Sequence, residues 1–118
     1  MLFRSGGIRA DEKAPGFRHF FLKPAPGGGL TFARTRYRSI HGTIVSNWRI
    51  DNGALHADVA VPPGTSATLH LPSAAPGTVT ESGRPATQAA GVKYTGAERG
   101  KAVFELASGS YQFISKLP

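Results

Sequence analysis

Three arginines alternate along one short segment, Arg34, Arg36 and Arg38 in "ARTRYRSIHGTIVSNW", with Tyr37 among them and the only tryptophan, Trp48, at its end. A guanidinium group is a planar fork of donors that matches carboxylates and phosphates. Three of them on one side of a strand cannot all be buried without partners. Their chemistry is therefore capture of an anion or a carbohydrate, docking against an acidic neighbouring domain, or a solvated edge where positive charge deters strand-to-strand pairing. Tyr37 and Trp48 are the candidate carbohydrate-binding pair, because an aromatic face can stack on a sugar ring. Trp48 also shares its alternation with Ile44 and Ile50, which favours a place in the core.

Catalytic constellations are harder to find. Glycoside hydrolysis takes two carboxylates flanking one bond. The seven acids are Asp11, Glu12, Asp51, Asp58, Glu81, Glu98 and Glu105, most of them in turns or at outward strand positions. No local spacing pairs any two. None of the four histidines, His19, His41, His56 and His70, is read as standing at i, i+2 on one strand or i, i+4 on a helix with another ligand, so no metal site is expected. The chain has no Gly-x-Ser-x-Gly elbow. The run Ala25-Pro26-Gly27-Gly28-Gly29-Leu30 lacks the following helix and the Lys-Ser/Thr pair of a phosphate cradle. No catalytic residue, metal or cofactor is expected.

The elements that must carry these residues are strands. In Leu30–Arg38, Phe32, Arg34, Arg36 and Arg38 share one face, and Ala33, Thr35 and Tyr37 the other. Ser39-Ile40-His41-Gly42 reads as a hairpin turn, with Gly42 free to adopt positive φ and His41 a turn residue. The returning strand puts Ile44, Ser46, Trp48 and Ile50 on one face. Asp51-Asn52-Gly53 signals the next turn, after which Leu55, Ala57, Val59 and Val61 point inward and His56 and Asp58 outward. Phe17–Pro24 and Thr65–Pro72 are further strands, a short one precedes a Ser82-Gly83 turn, and residues 84–100 read as loop with one short strand near Val92–Tyr94. The end of the chain reads as a hairpin pairing Phe104 and Leu106 with Tyr111 and Phe113. These make about eight strands at a spacing typical of an antiparallel β-sandwich with Greek-key-like connections. Residues 1–16 differ, and read as a helix end followed by a polar linker.

Composition agrees. The 118 residues suit one domain, and 40% hydrophobic residues with 15 glycines and 9 prolines fit many short strands and turns. There is no cysteine, which excludes disulfides and thiolate metal sites. No apolar run approaches the roughly 18 residues a membrane span needs. Fourteen Lys and Arg face seven acids, a formal charge of +7. Such a balance suits a polyanion or an acidic neighbour, but the scattered basic residues carry no nucleic-acid signature.

In combination, Pro15-Gly16-Phe17, Pro24-x-Pro26-Gly27-Gly28-Gly29-Leu30, Tyr37-x-Ser39-x-x-Gly42-x-Ile44-x-Ser46-x-Trp48 and Ser108-Gly109-x-Tyr111-x-Phe113 form a long pattern over nearly the whole chain. It resembles the C-terminal β-sandwich domain of bacterial α-L-rhamnosidases of glycoside hydrolase family 78. The resemblance implies that residues 1–16 correspond to the tail of the last helix of an (α/α)₆ catalytic barrel and its exit linker, and 17–118 to the sandwich. It implies that the barrel, as partner, removes terminal α-L-rhamnose with inversion, using acids of its own. The implied role here is accessory and non-catalytic; the chain reads as soluble, and the sequence leaves the compartment of the parent open, periplasmic or extracellular being the settings considered. Arg34, Arg36 and Arg38 are candidates for the interdomain contact. The rival reading is an independent carbohydrate-binding module for a rhamnose-containing glycan, and a more distant one is a polyanion- or nucleic-acid-binding domain.

Overall fold

The computed structural model describes residues 2–3, 8–10, 19–23, 32–39, 42–73, 78–98 and 100–116. Among the described residues there are twelve strands and a short 3₁₀ turn, Ala86–Gln88. In chain order the strands are β1 Leu2–Phe3, β2 Ile8–Ala10, β3 His19–Leu22, β4 Phe32–Ser39, β5 Gly42–Asp51, β6 Ala54–Val61, β7 Ser66–Pro72, β8 Thr80–Glu81, β9 Arg84–Pro85, β10 Val92–Glu98, β11 Lys101–Leu106 and β12 Gly109–Lys116. They form two six-stranded sheets, one ordered β1-β2-β3-β7-β11-β10 and the other β4-β5-β6-β12-β8-β9. The excess over about eight strands lies mainly in short pieces, β1, β2 and the β8–β9 hairpin.

The second sheet begins as a meander. β4 pairs with β5 from Phe32↔Arg49 to Ser39↔Gly42, and β5 with β6 through Asp51↔Ala54. Two consecutive residues with positive φ, Asn52 at 52° and Gly53 at 75°, close the β5–β6 turn. This is the type I′ geometry whose twist matches the flanking strands. Ser82 and Gly83 repeat it between β8 and β9, at 51° and 83°. Gly42 sits at φ +132°, and a Cβ there would lie 3.1 Å from the Cβ of Pro62.

The core lies between the sheets. Phe20, Leu22, Leu69, Leu71, Phe104 and Leu106 come from the first sheet, and Ile44, Trp48, Leu55, Val59, Tyr111 and Phe113 from the second. Phe104 and Phe113 meet across the interface with ring centroids 5.5 Å apart. Truncating a buried Phe costs about 3–5 kcal/mol, so this contact is a principal tie between the layers. The hydroxyl of buried Ser115 on β12 donates to the Pro72 carbonyl of β7 at 2.6 Å, a polar tie between the same layers.

Three expectations are corrected. The chain end is not a hairpin: β11 pairs with β7 and β10 in the first sheet, whereas β12 pairs with β6 and β8 in the second. The segment between them arches from one sheet to the other, as Pro62–Thr65 does between β6 and β7. The two arches lie side by side, because β6 pairs with β12 and β7 with β11. Both strands bury one alternating face, and an arch sets those faces against each other across the core. Second, where a helix end is expected within residues 1–16, Leu2–Phe3 and Ile8–Ala10 are strands, and β2 pairs antiparallel with β3. Helices this short are not stable on their own, and the open edge of β3 offers ladder hydrogen bonds instead. Third, residues 92–98 form a full strand with an irregularity between Tyr94 and Gly96. The glycine-rich run 25–29, Asp11, Glu12 and His41 lie outside the described residues.

Candidate functional site

Two outer faces remain once the core is assigned. On the first sheet, β3 runs parallel to β7 with His19 opposite Ser66 and Phe21 opposite Thr68. The Thr68 hydroxyl, 7% exposed for the residue as a whole, donates to Glu105 Oε1 at 2.7 Å. Its oxygen also lies 2.8 Å from His19 Nε2, and His19 Nδ1 lies 2.7 Å from Ser66 Oγ. Because the Thr68 proton is committed to Glu105, a neutral imidazole carries its proton on Nε2, and Nδ1 accepts from Ser66. The result is a hydrogen-bonded chain, Ser66 to His19 to Thr68 to Glu105, across three strands.

A serine with an oriented histidine has the outline of a nucleophile and base. Acyl transfer also needs donors aimed at a developing oxyanion. Ser66 is the first residue of β7, paired with His19 of β3, and the β11 ladder begins beside it at Ala67. The arrangement therefore works as a staple. Parallel pairing is slightly less stable per residue than antiparallel, and this is the one parallel pairing among the described strands. Phe21 packs beside the staple, edge-on to His19 at 5.5 Å and with Lys23 Nζ 5.6 Å from its ring centroid.

The outer face of the second sheet is different. Phe32, Arg34, Arg36 and Arg38 all project to solvent from β4, as the alternation predicts. Phe32, Arg34, Arg36, Asn47, Arg49, His56 and Asp58 line an open groove of about 640 Å³, with Trp48 and Ile50 beneath. Arg49 approaches Asp51 at 3.4 Å in an exposed pair. Among the described residues, Arg34, Arg36 and Arg38 make no ion pair or hydrogen bond with another.

The suspected sugar platform falls on the wrong side of this sheet. Trp48 is 2% exposed, within the core, and offers no face to a ligand. Tyr37 is half-buried on the same inner side and packs against the core. The exposed aromatic is Phe32, at 61%, the most exposed large apolar side chain among the described residues. His56 and Asp58, two apart on β6, share the groove, which corrects the expectation that no histidine stands two residues from another ligand on one strand. Among the described residues no three His, Cys, Asp or Glu side chains converge as a metal site, and no helix is long and apolar enough to cross a membrane.

Asp51, Asp58, Glu81 and Glu105, the acids whose side chains are described, are engaged separately. Glu105 accepts from Thr68, Asp51 approaches Arg49, Glu81 accepts from Ser82 and from the Gln112 amide, and Asp58 lies in the groove.

The Ser108-Gly109-x-Tyr111-x-Phe113 motif has a structural explanation. Tyr111 reaches back to the start of its own arch, its hydroxyl 2.6 Å from the Ala107 carbonyl. Gly109 has φ +149°, and an added Cβ would meet the Tyr111 hydroxyl at 3.3 Å; at Gly91 the same distance is 2.6 Å. Burial raises the Tyr111 pKa above its ordinary value of 10.0, and the Glu81 carboxylate adds to the rise.

Known proteins share this frame. Residues 7–85 match the family described as bacterial alpha-L-rhamnosidase C-terminal domain. An α-L-rhamnosidase of Streptomyces avermitilis is 35% identical over 98 residues, which are 83% of this chain and 9% of that protein. One from Formosa agariphila is 27% identical over 101 residues, 86% of this chain and 11% of that protein. The chain thus spans about a tenth of these relatives. The crystal structure of the Streptomyces avermitilis enzyme complexed with L-rhamnose superposes with a TM-score of 0.82 at 32% identity, covering 95% of this chain and 10% of that one. The Dictyoglumus thermophilum α-L-rhamnosidase shares the fold, with a TM-score of 0.77 over 93% of this chain and 12% of that one, at 24% identity. The match over residues 7–85 and the 35% identical relative show that this chain belongs to the bacterial α-L-rhamnosidase C-terminal domain family.

Proposed function

We propose that the chain is a non-catalytic accessory domain that packs against a rhamnosidase catalytic domain and steadies it. The observation that carries this reading is the match to a C-terminal domain that makes up about a tenth of its relatives. In the longer protein an (α/α)₆ barrel would hydrolyse terminal α-L-rhamnosides with inversion, in the periplasm or outside the cell.

The contact is assigned to the outer face of the first sheet, on the side of β1–β3. The start of the chain joins that sheet, so a preceding domain would enter there. Half-buried Phe21 and Val103 stand on that face, and its polar side chains Ser66, His19, Thr68 and Glu105 are tied to one another, so covering them strands few unpaired donors. This moves the interdomain role away from Arg34, Arg36 and Arg38.

The direct check is an assay of the chain on an aryl α-L-rhamnoside, together with an L-rhamnose titration followed by Trp48 emission. The accessory reading expects no turnover above blank and no saturable change. Turnover abolished by Asp58→Asn or Glu105→Gln would make the chain an enzyme. Saturable L-rhamnose binding would make it an independent carbohydrate-binding module.

A further inference from the structure

The outer face of the second sheet has an order that the accessory role does not use. Its registers place side chains in rows across β4, β5 and β6. One row is Phe32, Arg49 and His56, the next Arg34, Asn47 and Asp58, the third Arg36, Val45 and Ala60. Directly opposite residues in such rows stand about 4.5–5.5 Å apart, and rows follow one another about 7 Å along the strands. The groove therefore presents an exposed ring at one end and guanidinium groups along its length. Between them stand an amide, an imidazole and a single carboxylate.

Each group narrows the ligand. Arg34, Arg36 and Arg49 ask for anions, and their planar forks pair best with carboxylates or phosphates. Arg34 and Arg36 have no partner among the described residues, so a ligand need not break an existing bond to reach them. Phe32, 61% exposed beside Arg49, supplies a flat apolar surface. A pyranose ring has such a surface on its C–H face, whereas a surface that only attracts charge gains nothing from the ring. Asp58 lies inside the groove. A carboxylate there repels a densely charged phosphate polymer, yet accepts hydrogen bonds from hydroxyls. Asn47 and His56 add neutral donors and acceptors of the kind that read hydroxyl groups. The groove's volume, about 640 Å³, is in the range of small-ligand sites, and it is open, which suits a segment of a longer chain.

We infer that this groove binds a carboxylated oligosaccharide, with Arg34 and Arg36 on uronate carboxylates and Phe32 against a pyranose face. The inference concerns the face opposite to the proposed docking contact, and its failure leaves the accessory reading standing.

The test is calorimetric titration of the 118-residue chain with tri-galacturonate, its fully methyl-esterified form, and poly-L-glutamate. The ester keeps the sugar rings and removes the charge; the polypeptide keeps carboxylates and removes the rings. Saturable binding of tri-galacturonate is expected, at least about tenfold tighter than the ester, a difference of about 1.4 kcal/mol. The double variant Arg34→Ala/Arg36→Ala should lose about tenfold or more, and Arg34→Lys/Arg36→Lys should recover only part of it, since an ammonium lacks the fork. Phe32→Ala should weaken tri-galacturonate binding about tenfold and leave any poly-L-glutamate binding unchanged. These side chains are exposed, so the variants keep the fold, which circular dichroism verifies. No binding of tri-galacturonate overturns the inference. So does equal affinity for the ester, which leaves the arginines no role, or equal affinity for poly-L-glutamate, which makes the face an acidic-protein contact. Indifference to Phe32→Ala overturns it as well, reducing the groove to a charged surface.

Discussion

The two outer faces of this sandwich are built on opposite terms. On the first sheet, polar side chains spend their hydrogen bonds on one another: Ser66, His19, Thr68 and Glu105 form one chain across three strands. On the second, Arg34, Arg36 and Arg38 stand in solvent without partners among the described residues. Both faces alternate outward on well-paired strands, so strand geometry does not separate them. What separates them is whether the polar groups complete each other. A completed face contributes to stability and can be covered; an uncompleted one contributes little and stays available to a ligand.

The largest effect should come from breaking the completed face. His19→Ala removes two hydrogen bonds and leaves half-buried Ser66 and mostly buried Thr68 to find new partners. Urea denaturation should show a loss of about 1–3 kcal/mol. A loss below about 0.5 kcal/mol would mean that the chain of bonds is ornament and that β3 is held by Phe20 and Leu22 alone.

Tyr111→Phe probes the arch between the faces and should cost about 1 kcal/mol for the hydroxyl bond to Ala107. It carries a pH signature. The folded-state pKa of Tyr111 is raised above 10.0 by burial and then by Glu81, so the folded state favours the protonated phenol. That contribution is fully present below the unfolded pKa, about 10, and is lost as pH rises through the folded value. Stability curves at about pH 8 and about pH 11 should therefore converge for wild type and variant. A gap that stays constant would refute the coupling.

The smallest effect belongs to the arginine face. The triple variant Arg34→Ala/Arg36→Ala/Arg38→Ala should shift stability by no more than about 0.5 kcal/mol. A larger loss would show that this face, too, is structural, and the contrast between the faces would collapse.

The same contrast decides what a reader of the sequence can see. The β4–β5–β6 meander is legible because its pairing is local: alternation places Trp48 inside and Phe32 with the arginines outside, and Asn52-Gly53 announces the turn. The exposed ring of the groove is thus visible in the alternation, although Tyr37 and Trp48 draw the eye first. The staple is not legible. His19 lies 47 residues from Ser66, and only the parallel pairing of β3 with β7 brings them together. The closing arch misleads for a related reason. Ala107-Ser108-Gly109-Ser110 has the composition of a hairpin turn, and whether the next strand returns beside β11 or crosses to β6 depends on partners laid down far earlier in the chain.

The paired arches also govern the order in which the molecule can assemble. The meander closes through short loops, whereas β3 must wait for β7, and β7 for β11. Closing long loops before their contacts form slows folding, so the sheet holding Trp48 forms ahead of the sheet holding His19. During synthesis β3 emerges early with β2 beside it, and its partner on the other side, β7, emerges late. Pulsed hydrogen exchange during refolding would show protection in β5 and β6 before β3, and the reverse order would refute the sequence of events. A strand kept waiting in this way is an aggregation hazard, and shielding it is a service that a folded neighbour upstream would be placed to provide.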